Sequence, residues 1–350
     1  MGGTRNYGID LLRIVLMLME CFLHILGQGG VLLHCFGGTI SYGLYWLIEV
    51  FATCAVNGFG LISGYTAVNK PVRYAKIVEM WFQVLFYSVV MSVVLSLLGV
   101  NMAWDWYSTV QRFFPITFNL FWYFNAYFAL FMVMPVLNRF LFSLDESDAR
   151  KALVVVFVMF SVLSMFADPF NLQAGYSALW VIVLYTLGVL ARKIRLFEKK
   201  STLSLVLIWL VCNVVSWAWF ILFGTRPLIE YVSPTMVISA FVLLILFSRL
   251  PVRGGWISKV SPLVFGVYLG QLSPGIWYIL FPGAFAFVLS VPLAVGLPCV
   301  IVSAFLMLAG GLLLEWLRSR LARLMKIHLL SQKIAGALEA FLAKPFLFLK

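Results

Sequence analysis

The feature that most constrains this chain is the recurrence of apolar runs of about 20 residues along its length. Such a run, coiled as an α-helix, crosses about 30 Å of hydrocarbon. The composition agrees, because 63% of the 350 residues are hydrophobic and 11% are charged, against roughly 45–50% and 25% in soluble domains. Within lipid the backbone must satisfy its own hydrogen bonds, and helices do so at this length. The pattern therefore predicts an all-α, polytopic integral membrane protein.

We predict about ten transmembrane helices with the N- and C-termini cytoplasmic. The distribution of charge supports this count, since the outer loops then hold only Arg112 and Arg226 among the arginines and lysines. The first run contains Glu20 and His24 and lacks a small-residue cleavage site, so we expect it to be a retained span. The predicted spans are residues 9–27, 43–66, 78–100, 117–140, 152–167, 177–191, 202–223, 232–248, 261–281 and 285–314.

The net charge of +12 is explained by basic cytoplasmic loops, so no nucleic-acid partner is predicted. We divide the chain into a membrane domain, residues 1–314, and a cytoplasmic tail, residues 315–350. In the tail, apolar residues at helical spacing alternate with basic ones, a pattern typical of a helix lying on an anionic membrane surface. The residues are Trp316, Leu317, Leu321, Leu324 and Met325, with Arg318, Arg320, Arg323 and Lys326 between them.

Arg13 and His24 are the first functional candidates, because ionisable groups inside a span are costly and usually serve a function. His24 follows Arg13 by eleven positions, close to three helical turns and about 16 Å along the axis. Both side chains therefore share one helix face. This geometry suits a cation that binds one end of a long ligand and a base that works at the other end.

Two carboxylates lie in the same span as this pair, and a third lies in the second span. Glu20 precedes His24 by one turn, where a carboxylate can hydrogen-bond an imidazole nitrogen and fix its tautomer. Asp10 stands one turn before Arg13 and can pair with it. Glu49, in the second span, is expected to face a polar cavity or to reach His24 from the neighbouring helix. Glu20 also has a purely structural interpretation as a salt-bridge partner or a water-facing residue.

Other candidates come from later polar or aromatic stretches. Glycines around Asn57 at the end of the second span either let helices approach closely or break the helix beside a cavity. Basic residues after it, Lys70, Arg73 and Lys76, can form a phosphate-binding mouth as well as ordinary cytoplasmic charge. The block Trp122–Phe128 either anchors the chain at the interface or lines a substrate passage around Asn125. Gln271, Ser273 and Pro274 indicate a broken ninth span.

Metal and redox chemistry have no support in the sequence. The five cysteines are dispersed and form no CxxC pair, and most lie in apolar runs, as small buried hydrophobic residues do. No metal-ligand spacing and no phosphate-cradling glycine loop is present. We therefore expect no metal and no tightly bound cofactor.

Over residues 1–315, and most clearly in the first 140, the chain resembles the acyltransferase-3 family of integral-membrane, acyl-CoA-dependent acyltransferases. Four blocks carry the resemblance in the expected order. They are Arg5–Arg13 leading to His24 by an Arg-X10-His spacing, Leu61–Tyr65, Trp122–Phe128 and Val267–Leu269. One departure is Gln271, which stands where relatives often have a histidine.

The resemblance implies that the protein is an enzyme of the bacterial plasma (inner) membrane with acyl-CoA, as acetyl-CoA, for its co-substrate. A hydroxyl of an extracytoplasmic saccharide or lipid-linked glycan would be the acceptor, with membrane lipids around the protein and an undetermined oligomeric state. The catalytic candidates are His24, Glu20 and Glu49. The acyl-CoA-binding candidates are Arg13, Arg73, Lys76, Ser63 and Tyr65, and those lining the acceptor site or channel are His34, Asn57, Trp122, Tyr123, Asn125, Tyr127 and Gln271.

The alternative from a different class is a transporter or flippase of a small polar solute, for example serine, built on the same fold. Racemases of vancomycin-resistance systems carry a similar membrane half that is implicated in serine uptake, joined to a soluble pyridoxal-phosphate half. Secondary transporters usually show inverted repeats with paired broken helices. Here the polar intramembrane residues crowd the first four spans, and the two halves show no correspondence. The enzyme is therefore the leading hypothesis.

Overall fold

A computed structural model describes residues 5–68 and 70–342 of the chain. This part of the protein is helical throughout and contains no β-strand, which confirms the predicted all-α class. The α-helices are α1 Tyr7–Leu26, α2 Val31–His34, α3 Ile40–Thr53, α4 Ala55–Ala67, α5 Tyr74–Leu85, α6 Met91–Leu97, α7 Trp106–Phe113, α8 Trp122–Ser143, α9 Glu146–Phe157, α10 Ala178–Lys193, α11 Thr202–Phe223, α12 Pro234–Ser248, α13 Ile257–Val260, α14 Val264–Gln271, α15 Leu293–Leu324 and α16 Ile327–Leu342.

Five helical stretches of the described chain are long and apolar enough to cross a membrane. They are Ile40–Ala67, Tyr74–Leu97, Trp122–Ser143, Thr202–Phe223 and Leu293–Leu324. The central helix α1 has 20 residues but carries Asp10, Arg13 and Glu20, and α10 and α12 have 16 and 15 residues. The described chain thus has the apolar helices of a membrane protein, five of them candidate spans by length and composition. The count of ten spans and the cytoplasmic placement of the termini stay predictions.

Several predicted spans are interrupted. The second is two helices, α3 and α4, that meet at Cys54. The ninth ends its α-helix at Gln271 and resumes as a π-helical turn at Ile276–Leu280, which confirms the predicted break. Helix-terminal carbonyls and amides at such breaks need polar partners, so interruptions inside a membrane protein lie where protein or a cavity supplies them.

The last long helix extends further than its apolar run. α15 has 32 residues and continues to Leu324, so the proposed boundary between residues 314 and 315 falls inside a continuous helix. The first interruption is at Lys326, whose φ is 54°, in the left-handed region that costs energy for a residue with a Cβ. There the chain turns, and α16 packs along α5.

α1 occupies the centre of the bundle and packs against α3, α4, α12 and α15. Its apolar residues include Leu12, Leu16 and Ile25, all fully buried. The polar stripe of α1 faces away from lipid as well, because Asp10 and Glu20 are also buried. The ionisable groups of α1 are therefore enclosed by other helices, as the cost of charge in hydrocarbon requires.

Glycine allows α4 and α10 to cross in close contact. A Cβ at Gly64 would lie 1.9 Å from the carbonyl oxygen of Tyr185, and a Cβ at Gly188 would lie 2.3 Å from that of Leu61. Of the two interpretations of the glycines near Asn57, close approach is therefore the one observed, since α4 runs unbroken through them.

We expect Gly64→Ala to lower the stability of the protein by about 1–3 kcal/mol, because the added methyl group meets backbone that has to move. The measurement is the Tm of the detergent-solubilised protein. Gly310→Ala is the matched control, since a Cβ there meets nothing within 4 Å in the described structure and alanine favours a helix. Equal Tm values for the two variants would contradict this close crossing.

Candidate functional site

One large cavity of about 2450 Å³ lies inside the bundle. It is lined along the whole of α1, from Asp10 near one end to His24 near the other, and beyond it by Gln28. We call the end lined by Arg13, Arg73 and Lys76 the basic end, and the end lined by Trp46, Trp122 and Arg226 the far end. The cavity thus joins the two ends of α1 through the interior of the protein.

At the basic end, Asp10 holds two arginines. Its carboxylate accepts hydrogen bonds from Arg5 Nε at 2.5 Å and Arg13 Nη1 at 2.6 Å, and from the Ser261 hydroxyl at 3.3 Å. The predicted Asp10–Arg13 pair is therefore confirmed. Two guanidinium groups share one carboxylate, so the cluster keeps an excess of positive charge, and Arg13 remains at the cavity wall.

The other basic candidates line the same end. Arg73 precedes the first turn of α5 and Lys76 lies within it, and both line the cavity together with Lys70. Within residues 5–68 and 70–342, none of these three forms an ion pair with a carboxylate. Unpaired cations around one opening make it attractive to a polyanionic ligand.

Ser63 and Tyr65 also line this end of the cavity. The Ser63 hydroxyl donates to the carbonyl of Phe59 at 2.9 Å, one turn earlier in α4. Tyr65 receives a hydrogen bond from Arg192 Nη1 at 3.1 Å, and its ring lies 5.0 Å from that guanidinium carbon. Both residues are thus placed beside the opening, where Ser63 presents a hydroxyl and Tyr65 holds a further cation.

His24 lies about 16 Å further along α1 and faces the cavity. Its Nδ1 is 2.5 Å from Gln271 Oε1, and the Gln271 amide nitrogen faces Cys21 Sγ at 3.2 Å. An amide oxygen only accepts hydrogen bonds, so in this arrangement Nδ1 carries the proton and Nε2 keeps its lone pair. The Trp277 ring meets the imidazole edge to face at 4.9 Å between centroids. His24 is therefore oriented with one nitrogen free to accept a proton.

Glu20 does not make the hydrogen bond to the His24 imidazole that its spacing predicts. Its Oε2 is 3.8 Å from His24 Nε2, too far for a hydrogen bond but within the range of charge attraction. Gln271, and not Glu20, makes the hydrogen bond that fixes the tautomer. The Glu20 carboxyl group lies instead near the other imidazole nitrogen, Nε2.

Glu49 lines the cavity as well, one turn after Trp46 on α3. Its Oε2 is buried and has no hydrogen-bond partner in the described structure, which is costly for a carboxylate unless something else approaches it. Arg226 stacks over Trp46 with its guanidinium carbon 5.4 Å from the ring centroid. Glu49 therefore lines the cavity with one buried carboxyl oxygen that has no partner among the described residues.

Aromatic rings form much of the wall on the far side of His24. Trp122 lies 4.8 Å from Tyr176 and 6.3 Å from Tyr231, nearly parallel to the second ring. Tyr123 also lines the cavity with a buried hydroxyl that lacks a partner among the described residues, and Tyr127 lines it further along α8. Of the predicted block on α8, Trp122, Tyr123 and Tyr127 therefore line the cavity.

Four candidates are not among the residues that line the cavity. Asn57 donates to the Tyr231 carbonyl at 2.7 Å and accepts from Trp180 Nε1 at 3.1 Å. It therefore helps to position Tyr231, one of the aromatic residues of the cavity wall. Asn125 binds the Ile116 carbonyl at 2.9 Å and the Asn119 side chain at 2.8 Å. His34 is exposed and bonds the Gly30 carbonyl, while Gln271 reaches the site through His24.

Sequence reasoning missed Tyr176, Tyr231 and Trp277, because each lies in a loop or a short turn with no local pattern. It also missed Arg318 and Arg323 as cavity-lining residues, since they belonged to the predicted interfacial tail. Only their charge could have indicated them. Within the described ranges, no cluster of three or more histidine, cysteine, aspartate or glutamate side chains is arranged to hold a metal ion.

Comparison with known proteins identifies the family of the chain. No curated protein and no solved structure matches this chain. The acyltransferase-3 family model, described as an acyltransferase domain, matches residues 6–316, which include α1 with Arg13 and His24, α8, and most of α15. The match confirms the resemblance seen in the sequence. This chain therefore belongs to the acyltransferase-3 family and is a membrane acyltransferase.

Proposed function

We propose that the protein transfers an acyl group from acyl-CoA to a hydroxyl of an extracytoplasmic or lipid-linked saccharide. We expect the acyl group to be acetyl. The observation that carries this proposal is the orientation of His24, whose Nε2 is free in the same cavity that opens among unpaired cations. A phosphate-binding opening about 16 Å from a base suits a donor with a phosphorylated end and a reactive end.

The donor occupies the basic end in this proposal. Arg13, Arg73 and Lys76 bind the phosphates of coenzyme A, with Ser63 and Tyr65 beside the arm that leads inward. Arginine pairs with phosphate through two parallel hydrogen bonds, and lysine adds charge. The thioester then lies next to His24, because the cavity continues from the cations to the imidazole without interruption.

The acceptor hydroxyl attacks the thioester carbonyl carbon while His24 Nε2 takes the hydroxyl proton. The C–S bond breaks as the tetrahedral intermediate collapses, and the proton on Nε2 passes to the departing thiolate of coenzyme A. Such a base contributes about 10²–10⁴-fold in rate. Glu20, 3.8 Å from Nε2, stabilises the imidazolium that exists between the two proton transfers.

The far side of the cavity receives the acceptor. Flat aromatic faces such as Trp122 suit the apolar faces of a sugar ring, and the open acceptor on Glu49 suits its hydroxyl groups. Tyr123 and Tyr127 lie between this region and the donor. We place the protein in a bacterial plasma membrane, with the basic end cytoplasmic and the far end outside.

A transporter or flippase of a small polar solute is the second candidate, and the continuous cavity also suits it. Transport does not require one imidazole nitrogen to be fixed as a free base by a neighbour. Whether the protein binds and hydrolyses acetyl-CoA separates the two functions.

We expect His24→Ala to lower acetyl-CoA hydrolysis by the purified protein about 10²–10⁴-fold with coenzyme A binding retained, since the base is lost and the cations remain. Arg13→Ala should weaken binding instead. Hydrolysis and binding are measured on protein in nanodiscs.

His34→Ala is the matched control, because that histidine is exposed and bonds only the Gly30 carbonyl in the described structure. A wild-type protein that neither binds nor cleaves acetyl-CoA, longer acyl-CoA or succinyl-CoA would refute the acyltransferase proposal and favour transport.

The tautomer of His24 can be tested directly. The chain has three histidines, so ¹⁵N-histidine labelling gives three sets of ring signals, and His24→Ala identifies the relevant one. We expect the neutral Nδ1–H form in the wild type and its loss in Gln271→Ala, because the amide acceptor is gone.

Gln271→Ala should also lower the turnover of acetyl-CoA about tenfold or more with KM little changed. Gln28→Ala is the control, since that amide bonds the Trp277 carbonyl and not the imidazole. A wild-type His24 protonated at Nε2 would contradict the assigned role of Gln271.

A further inference from the structure

The C-terminal part of the chain returns to the basic end of the cavity. The last two turns of α15 contribute Arg318 and Arg323 to its lining, and the start of α16 contributes His328. All three lie beyond residue 316, where the match to the acyltransferase domain ends. The predicted interfacial tail thus forms part of the site's wall.

This placement is held by two features of the fold. Arg318 is bound to the buried carboxylate of Glu315 by two hydrogen bonds of 2.7 Å, and Glu315 also accepts one from Tyr87 at 3.0 Å. The turn at Lys326 then directs α16 along α5, the helix that carries Lys76. The α16 part of the predicted tail is therefore packed against α5, the helix that carries Lys76.

The charges at this wall are incompletely neutralised. Arg318 has its carboxylate partner, whereas Arg323 forms no ion pair within the described part of the chain and donates only to the Ser319 carbonyl at 3.3 Å. Arg323 is exposed at the cavity, as is His328. Glu79 of α5 also lines the cavity, but the cations Lys70, Arg73 and Lys76 outnumber it at this opening.

We propose that Arg323 and His328 complete the donor site as a second phosphate-binding wall, facing Arg73 and Lys76 across the basic opening. This inference rests on the proposed function, because it takes the phosphates of the acyl-CoA donor as the ligand. A nucleotide with several phosphate groups is held better by cations on two sides than by one wall alone. The C-terminal helices are then a substrate-binding element rather than only a membrane contact.

The test measures binding of coenzyme A and of adenosine 3′,5′-bisphosphate, its nucleotide end, to the full chain in neutral phosphatidylcholine nanodiscs. We expect Arg323→Gln and His328→Gln each to weaken binding about three- to tenfold, and Arg323→Lys to restore most of the loss. Arg320→Gln is the matched control, since Arg320 stacks on Trp316 at 5.0 Å and does not line the cavity.

A truncated donor makes the test specific. KM for acetyl-CoA should rise in Arg323→Gln, whereas hydrolysis of S-acetyl-pantetheine, which lacks the nucleotide, should stay at the wild-type rate. Wild-type binding with an unchanged Kd in both Arg323→Gln and His328→Gln overturns this inference and leaves the proposed function standing. Equal losses in Arg323→Gln and Arg320→Gln also overturn it, since general charge then accounts for them.

Two further outcomes distinguish a lipid headgroup from the donor and test the proposed function itself. If the variants change behaviour only in nanodiscs that contain phosphatidylglycerol, the phosphate is a lipid headgroup and the donor-wall inference is wrong. If the wild type binds neither coenzyme A nor the bisphosphate, the proposed function fails together with this inference. Tm values close to that of the wild type confirm that the exposed variants remain folded.

Discussion

The structure depends on the cost of placing ionisable side chains in a helix surrounded by hydrocarbon. α1 carries Asp10, Arg13, Glu20 and His24, and each needs a polar partner or a cavity. The bundle meets this need by enclosing α1 and by opening an internal cavity along its polar stripe. Asp10 pairs with Arg13, and Gln271 binds His24. The shape of the site is therefore a consequence of the polarity of one helix.

The two ends of α1 differ in how their ionisable groups are paired. At the basic end, the carboxylate is shared by two arginines, so positive charge remains for a ligand. At the other end, a neutral amide fixes the imidazole without contributing a charge of its own. A carboxylate hydrogen-bonded to Nδ1 would have raised the basicity of His24, whereas an amide oxygen orients the ring and has a smaller effect on its charge.

The fold class, the break after Gln271 and the pairing of Asp10 with Arg13 could be predicted, because each depends on local pattern or helical spacing. Arg13 and His24 could be placed on one helix face for the same reason, whereas Asn125 of the α8 block bonds Ile116 and Asn119 and does not line the cavity. The partner of His24 could not, since Gln271 lies 247 positions away and only tertiary packing brings it close. The helical-spacing rule favoured Glu20, but rotamer and packing leave its carboxylate at 3.8 Å. The roles of Tyr176, Tyr231 and Trp277 depend on loop paths that no periodicity records.

The short helix α14 connects features that are otherwise far apart. Gly266, in its first turn, lies against Glu315, so closely that a Cβ there would be 2.3 Å from the carboxylate oxygen. The Tyr268 hydroxyl accepts from the Tyr123 amide at 3.1 Å, and Gln271 at the last position holds His24. Eight residues form one helix about 12 Å long, whose first turn contacts Glu315 and whose last residue binds His24. The packing at the charged opening and the orientation of the proton acceptor thus depend on the position of the same short helix.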